Sequence, residues 1–252
     1  GVIMAGWGSN NKYSLYGAMR SVAQLISFEV PLTLAVLAVI MVAGTLDLQD
    51  ISFQQGVYMH RSQSHTNELN YLFGSEKLGW DVTSMGGILT WNIFRMPLLI
   101  IAFIIFFIAS LAESNRAPFD LPEAESELVG GFHTEYSGFR WALMMLSEYG
   151  MMLLVSFLAV ILFFGSWNTP FPNVGSLRFA SWTSGTPGTT IAHLWGMFWI
   201  LSKVLVLVFL QMWVRWTYPR LRVDQLMTLS WKYLTPISLV LIFLIGIWKL
   251  AL

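Results

Sequence analysis

Seven of the fourteen carboxylates crowd into the stretch from Ala112 to Tyr149, AESNRAPFDLPEAESELVGGFHTEYSGFRWALMMLSEY. They are Glu113, Asp120, Glu123, Glu125, Glu127, Glu135 and Glu148. A turn that only links two membrane helices needs no such charge. Acids in this pattern either handle protons and dock a partner, or form a solvated acidic turn. Glu113 and Glu148 favour the first reading, because each sits at or inside an apolar run, where a carboxylate is costly unless protonated, paired or hydrated. Glu29 is a third such acid. It lies two residues before Pro31, whose missing N–H leaves the carbonyl of Ser27 without its helical donor and predicts a kink. Lys203, inside a later apolar run, reads as a pathway group or as half of a structural ion pair. Met144, Met151 and Met152 share a helical face with Glu148, and with neighbouring Met145 they suit either core packing or an adaptable wall for an apolar ligand.

The elements that must position these groups are membrane helices. The chain is 56% hydrophobic and 11% charged, against about 25% charged in soluble domains. Its apolar runs are uninterrupted rather than alternating, which excludes a barrel and predicts an all-α polytopic transmembrane bundle, a single membrane domain over 1–252. Five spans are expected: Tyr13 to Gly44, Ile88 to Ala112, Phe139 to Gly165, Ile191 to Val214 and Leu234 to Leu252. The acidic loop, 113–138, joins the second and third. Asp47 to Gly87 reads as a long polar connection with short surface helices, and Ser166 to Thr190 as a surface loop without chemistry. Arg215 to Lys232 reads as a basic loop. Opening on GVIMAGWGSNNKYSLYG, without a signal peptide's basic start and cleavage pattern, the chain reads as part of a longer protein with spans upstream.

Composition also removes several functions. Fourteen basic residues balance fourteen acidic ones, so no polybasic surface points to nucleic acid. With no cysteine, the chain has no disulfide, no thiolate zinc site and no thiolate ligands for an iron–sulfur cluster. His60 and His65, two loop histidines without a further ligand pair, read as solvated residues, and no metal site is expected. Eight Lys and Arg fall on the side of the acidic loop and five on the other, leaving out Lys203. The positive-inside rule puts the acidic loop in the cytoplasm.

The acidic stretch resembles the signature loop of the H-subunit family of the proton-translocating NADH:quinone oxidoreductases, respiratory complex I. AGWGSNNKYSLYGAMRSVAQLISFEVP resembles the family's second signature, and together the two cover about a quarter of the chain. The resemblance implies a membrane-arm subunit that forms much of the quinone tunnel and joins the peripheral redox arm to the proton pumps. It implies N-terminal helices preceding this sequence, and a 47–87 connection longer than the family's usual one. By the resemblance, Glu29, Glu113 and Glu148 match membrane-level carboxylates of a proton path. Arg116, Asp120, Glu123, Glu125 and Glu127 match the loop at the quinone chamber and redox-arm interface, and Arg20 and Arg140 match basic positions near the same surface. No cofactor is implied for this chain itself. Quinone, ubiquinone or menaquinone, would be the substrate. FMN and iron–sulfur clusters would sit in partner subunits, and neighbouring redox-arm and membrane-arm subunits would be the partners, with lipid around them. The place implied is a bacterial inner membrane.

Three other readings compete. Membrane subunits of energy-converting hydrogenases share the fold but need no quinone chamber, and the full acidic signature favours complex I. A secondary transporter using Glu29, Lys203 and Glu148 predicts repeated halves, which the sequence lacks. A passive anchor leaves the buried acids unexplained. In this cysteine-free chain, cysteines placed at Glu125 and Ser176 are expected to label from opposite membrane faces, and labelling from one face would refute the span assignment.

Overall fold

The computed structural model describes residues 1–57, 82, 85–120, 131–173, 178–184 and 188–251. His60, His65, Glu123, Glu125 and Glu127 lie outside them. Among the described residues the chain is helical, without a strand. In order come α1 (Val2–Gly8), α2 (Lys12–Ala43), α3 (Leu48–Gln54), α4 (Asn92–Arg95), α5 (Leu98–Glu113), α6 (Phe139–Phe163), α7 (Phe179–Ser184), α8 (Thr190–Thr217), α9 (Val223–Thr228) and α10 (Thr235–Ala251). Four helices are long and apolar enough to cross a bilayer: Lys12–Ala43, Phe139–Phe163, Thr190–Thr217 and Val223–Leu250. The bundle expected from composition is present, with two of its spans drawn differently.

The expected span from Ile88 to Ala112 is not one helix. A 3-10 turn, Gly87–Thr90, and the single turn of α4 precede a break at Met96, whose φ of −135° and ψ of 113° are extended. Pro97 causes this, since its ring pushes the preceding residue out of the helical region. The apolar helix that remains, α5, has 16 residues and reaches only about 24 Å at 1.5 Å per residue. The last span differs in the other direction. Residues 223–234, expected to be largely loop, are helical, and Leu229–Leu234 takes the wider π turn ahead of Pro236. Thr235 Oγ1 donates to the carbonyl of Ser230 at 2.9 Å across that turn.

Contacts group the chain into two compact units, and α2, α5, α6, α8 and α10 each contribute to both. The first comprises Gly1–Thr33, Phe107–Val155 and Val208–Ile237. Here α2 continues through Pro31, and the carbonyl of Ser27 that the proline frees accepts a 2.5 Å hydrogen bond from Ser230 Oγ. The indole of Trp231 donates to Ser27 Oγ at 3.2 Å. Ser230 and Trp231 thus belong to the helix because they serve its neighbour, although their polarity reads as loop. Gln24 Nε2 donates to the carbonyl of Ala112 at 2.6 Å, and so satisfies the end of α5.

The second unit comprises Leu34–Phe106, Ser156–Leu207 and Ser238–Leu252. Its aromatic core joins α5 to α6 through Phe103, Phe106 and Phe163, with ring centroids 5.5 to 5.7 Å apart. The chain after α2, expected at the surface, instead turns inward at α3. Asp47 caps that helix by accepting from the amide of Gln49 at 2.9 Å. Just beyond it Gln55 is fully buried. Its Nε2 donates to the carbonyl of Ile161 at 2.9 Å, and its Oε1 accepts from the amides of Asn92 at 3.1 Å and Gly165 at 3.0 Å. One side chain therefore ties α3, α4 and the end of α6.

Lys203 supplies the other tie, and it forms no ion pair among the described residues. Its Nζ donates to the carbonyls of Phe164 at 2.8 Å, Ser166 at 3.0 Å and Asn168 at 2.5 Å, and lies 4.3 Å from the ring centre of Trp91. The ammonium gathers the carbonyls of the turn that follows α6, near the helix C-terminus, where the dipole favours a cation. The start of the connection at 166–190, expected to offer no chemistry, supplies two of the three acceptors. Gly165 makes the turn possible: its φ is +71°, and a Cβ there would strike Trp91. Replacing Gln55 by Leu leaves two buried amides and a carbonyl without partners, at about 1–3 kcal/mol each. The thermal unfolding midpoint of Gln55→Leu in detergent is expected to fall well below that of the unsubstituted chain.

Candidate functional site

The three acids singled out from the sequence arrive from three helices. Glu29 comes from α2, Glu113 from the last position of α5 and Glu148 from the third turn of α6. All three line one cavity of about 610 Å³ in the first unit, whose apolar walls include Val2, Leu25, Met144, Met151 and Leu154. Acids at a membrane helix level facing one another across an open space can exchange protons through water, provided the space is polar enough to hold it. Asn115, Ser147 and the acids themselves supply that polarity.

The acids are not equally buried. Glu29 is exposed on this chain, contrary to the burial its apolar run predicts, because it opens into the cavity rather than into packed side chains. Glu113 is partly buried. Glu148 has the most defined surroundings, its side chain 11% exposed. Its Oε2 lies 3.9 Å from Arg116 Nη2, and its Oε1 lies 3.6 Å from His133 Nε2. Both are ion-pair distances, longer than a hydrogen bond. Arg116 also covers the ring of Tyr149 at 4.2 Å, which fixes the guanidinium plane over α6.

A loop acid or a backbone carbonyl is the partner the sequence suggests for Arg116. Among the described residues it faces the membrane acid Glu148, and the loop acids Glu123, Glu125 and Glu127 lie outside those residues. Asp120 has a separate partner: Arg220 Nη2 donates to its Oδ2 at 2.9 Å, and the amide of Leu221 donates to the carbonyl of Pro118 at 3.0 Å. The segment after α5 is thereby joined to the basic segment before α9. Arg20 is half-buried on α2 and Arg140 is exposed on the first turn of α6, and neither is among the residues lining the cavity. The methionine stripe divides. Met144 and Met151 face the cavity, whereas Met152 is core.

Sequence reasoning misses His133, because its fifteen-residue separation from Glu148 matches no helical or strand spacing. A 3-10 turn, Gly131–His133, carries it there. That turn is pressed against α2 so closely that a Cβ on Gly17 would stand 2.9 Å from the Cα of Gly131. Ser14 Oγ donates to the carbonyl of Phe132 at 3.4 Å, and Tyr136 Oη donates to the carbonyl of Ala5 at 3.0 Å. The hydrophobic contact of Ala5, Ala18 and Phe132 completes the seat. Among the described residues no group of three or more His, Asp or Glu is placed to hold a metal ion.

Comparison with known proteins shows the family. The family profile described as NADH dehydrogenase matches residues 1–246. The chain is 61% identical over 249 residues to the NADH-quinone oxidoreductase H subunit numbered 2 of Cytophaga hutchinsonii, covering 98% of this chain and 67% of that one. It is 47% identical over 248 residues to the NADH-quinone oxidoreductase H subunit of Chlorobaculum parvum, covering 98% and 60%. With the corresponding H subunit of a Geobacillus species it shares 44% over 243 residues, covering 96% and 57%. The chain therefore spans about two thirds or less of the length of these relatives. With a match running almost from end to end, the chain belongs to the NADH dehydrogenase family.

Proposed function

We propose that this chain is a membrane-arm subunit of a proton-translocating NADH:quinone oxidoreductase, lining the quinone tunnel and coupling quinone reduction to proton movement. The observation that carries the reading is the shared cavity of Glu29, Glu113 and Glu148. Reducing a quinone head takes two electrons and two protons, so a protein beside it needs apolar walls for the tail and ionisable groups that answer the change in charge. Both kinds of side chain meet in the first unit. The names of the relatives, H subunits of NADH-quinone oxidoreductase, support the same reading. They favour it over a hydrogenase subunit of similar fold.

The chain's own residues fall into two roles. Glu29, Glu113 and Glu148 relay protons through cavity water. Arg116 attracts the ionised form of Glu148 by its fixed charge. Asp120 and Arg220, with Glu123, Glu125 and Glu127, shape the loop that borders the quinone chamber and the redox arm. Arg20 and Arg140 contribute basic charge near that surface. Thiolate ligands for an iron–sulfur cluster do not exist here, since the sequence holds no cysteine. Electrons reach the quinone from flavin and clusters held by partner subunits. The chain works in a bacterial inner membrane with the acidic loop on the cytoplasmic side, consistent with the basic residues Arg215, Arg220 and Arg222 near it.

In membranes where the whole complex assembles, Glu148→Gln keeps size and hydrogen bonding but loses the titratable proton. Proton-coupled turnover is expected to fall about tenfold or more, read as quinone reduction together with pumping. Unchanged turnover and unchanged protons per electron would remove Glu148 from the relay. Asp120→Asn weakens a half-exposed ion pair worth about 1 kcal/mol or less in stability. Its expected effect is on quinone reduction itself, with protons pumped per electron preserved, and a normal KM and kcat for quinone would refute that role.

A further inference from the structure

We propose that His133 is the residue that passes a proton to and from Glu148, an inference that rests on the proton-path reading above. Glu148 stands between two basic side chains of different kinds. Arg116 is permanently charged, whereas an imidazole is the side chain whose charge ordinarily changes between about pH 5 and 8. His133 is 7% exposed, and its Nε2 is 3.6 Å from Glu148 Oε1. That oxygen is buried and accepts no hydrogen bond. A shift of about half an ångström closes the gap to hydrogen-bonding distance, and one bridging water does the same.

The seat of His133 is built rather than incidental. The turn that carries it is clamped by the backbone contact of Gly17 with Gly131, and its own carbonyl accepts from the amide of Tyr136 at 3.0 Å. Its ring lies against that of Phe132, tilted by 37° with centroids 3.8 Å apart. Among the described residues, the charged groups around the pair are Arg116 from the segment after α5 and, across the cavity that Glu148 lines, Glu113 of α5 and Glu29 of α2. Glu135, two residues after His133, is taken by Asn11 Nδ2 at 3.0 Å.

The step balances simply. The Nε2–H bond of the imidazolium breaks as an O–H bond forms on Oε1 of Glu148, leaving a neutral imidazole and a neutral carboxyl group. A hydrated proton then restores the imidazolium, and the carboxyl hands its own proton to cavity water toward Glu113 and Glu29. With the acid and the imidazole both neutral, the attraction of Glu148 to Arg116 and His133 falls, so Glu148 is freed to turn into the cavity at the moment it carries its load.

The test compares His133→Gln with Glu148→Gln in the assembled complex, measuring quinone-coupled proton pumping from pH 5 to 8, with NADH–ferricyanide activity as the check on an intact redox arm. The expected result is a loss of about tenfold or more in pumping-coupled turnover for both variants, and for His133→Gln the disappearance of a pH inflection that the unsubstituted complex shows. If Glu148→Gln is impaired while His133→Gln keeps the normal turnover and pH profile, His133 is excluded and the proton path stands. If Glu148→Gln is itself normal, the path reading falls and the inference with it. Should His133→Gln fail to assemble, the unsubstituted complex decides, and a profile flat across that range overturns the proposal.

Discussion

A backbone carbonyl or amide set free inside a membrane has no water to turn to, so each interruption of a membrane helix must be answered by another part of the protein. The chain answers at four places with four different side chains. Ser230 takes the carbonyl that Pro31 leaves open, Gln24 takes the end of α5, Lys203 gathers the end of α6, and Gln55 serves two amides and a carbonyl where α4 and α6 meet. None of these is a redundant contact. Each removes an unpaired polar group worth about 1–3 kcal/mol, and those of Gln24, Gln55 and Lys203 lie where a helix stops.

One of these helix ends also helps to make the site. Glu113 is the last residue of α5, and its height is set by the bond from Gln24 one residue earlier, at Ala112. Arg116 and Asn115 follow in a turn where Asn115 has φ +49°, a left-handed conformation that asparagine tolerates. The same short segment therefore delivers an acid to the cavity and a cation to Glu148. Packing between Gly17 and Gly131 brings His133 to the other side of that acid. A cavity lined by three carboxylates, with Arg116 and His133 beside one of them, is the outcome of two helix faces, which carry Glu29 and Glu148, and of one helix end, which carries Glu113.

Much of this is legible in the sequence, and the division has a physical basis. Long apolar runs announce helices, and a carboxylate inside one announces a partner or an open space beside it, because both signals are local and large in energy. Four of five spans, the three acids and the unsatisfied carbonyl at Ser27 can be read that way. What cannot be read are groups whose partners are distant in sequence. Gln54 and Gln55 look like loop residues until Ala43, Ile161 and Asn92 surround them. Lys203 looks like a pathway group or half of an ion pair, since a sequence does not display backbone carbonyls as a cation site. Residues 223–234 look like loop because Ser230 and Trp231 are polar for a reason located on α2. His133 goes unnoticed beside seven acids, its proximity to Glu148 being a property of a turn with no periodic signature.

The bond between Ser230 and the carbonyl of Ser27 joins residues 203 positions apart. During synthesis at about 5–20 residues per second, the partner of Ser27 emerges roughly 10–40 s after Ser27 itself. Throughout that interval α2 resides in the insertion machinery or the bilayer with an open acceptor at its proline and an acid two residues away. Its early survival must come from the apolar length on either side of Pro31, and its final hydrogen bond forms only when the span carrying Ser230 arrives. The helix α2 is thus completed by a residue made 203 positions later, which ties the folding of one helix to the arrival of another distant in sequence.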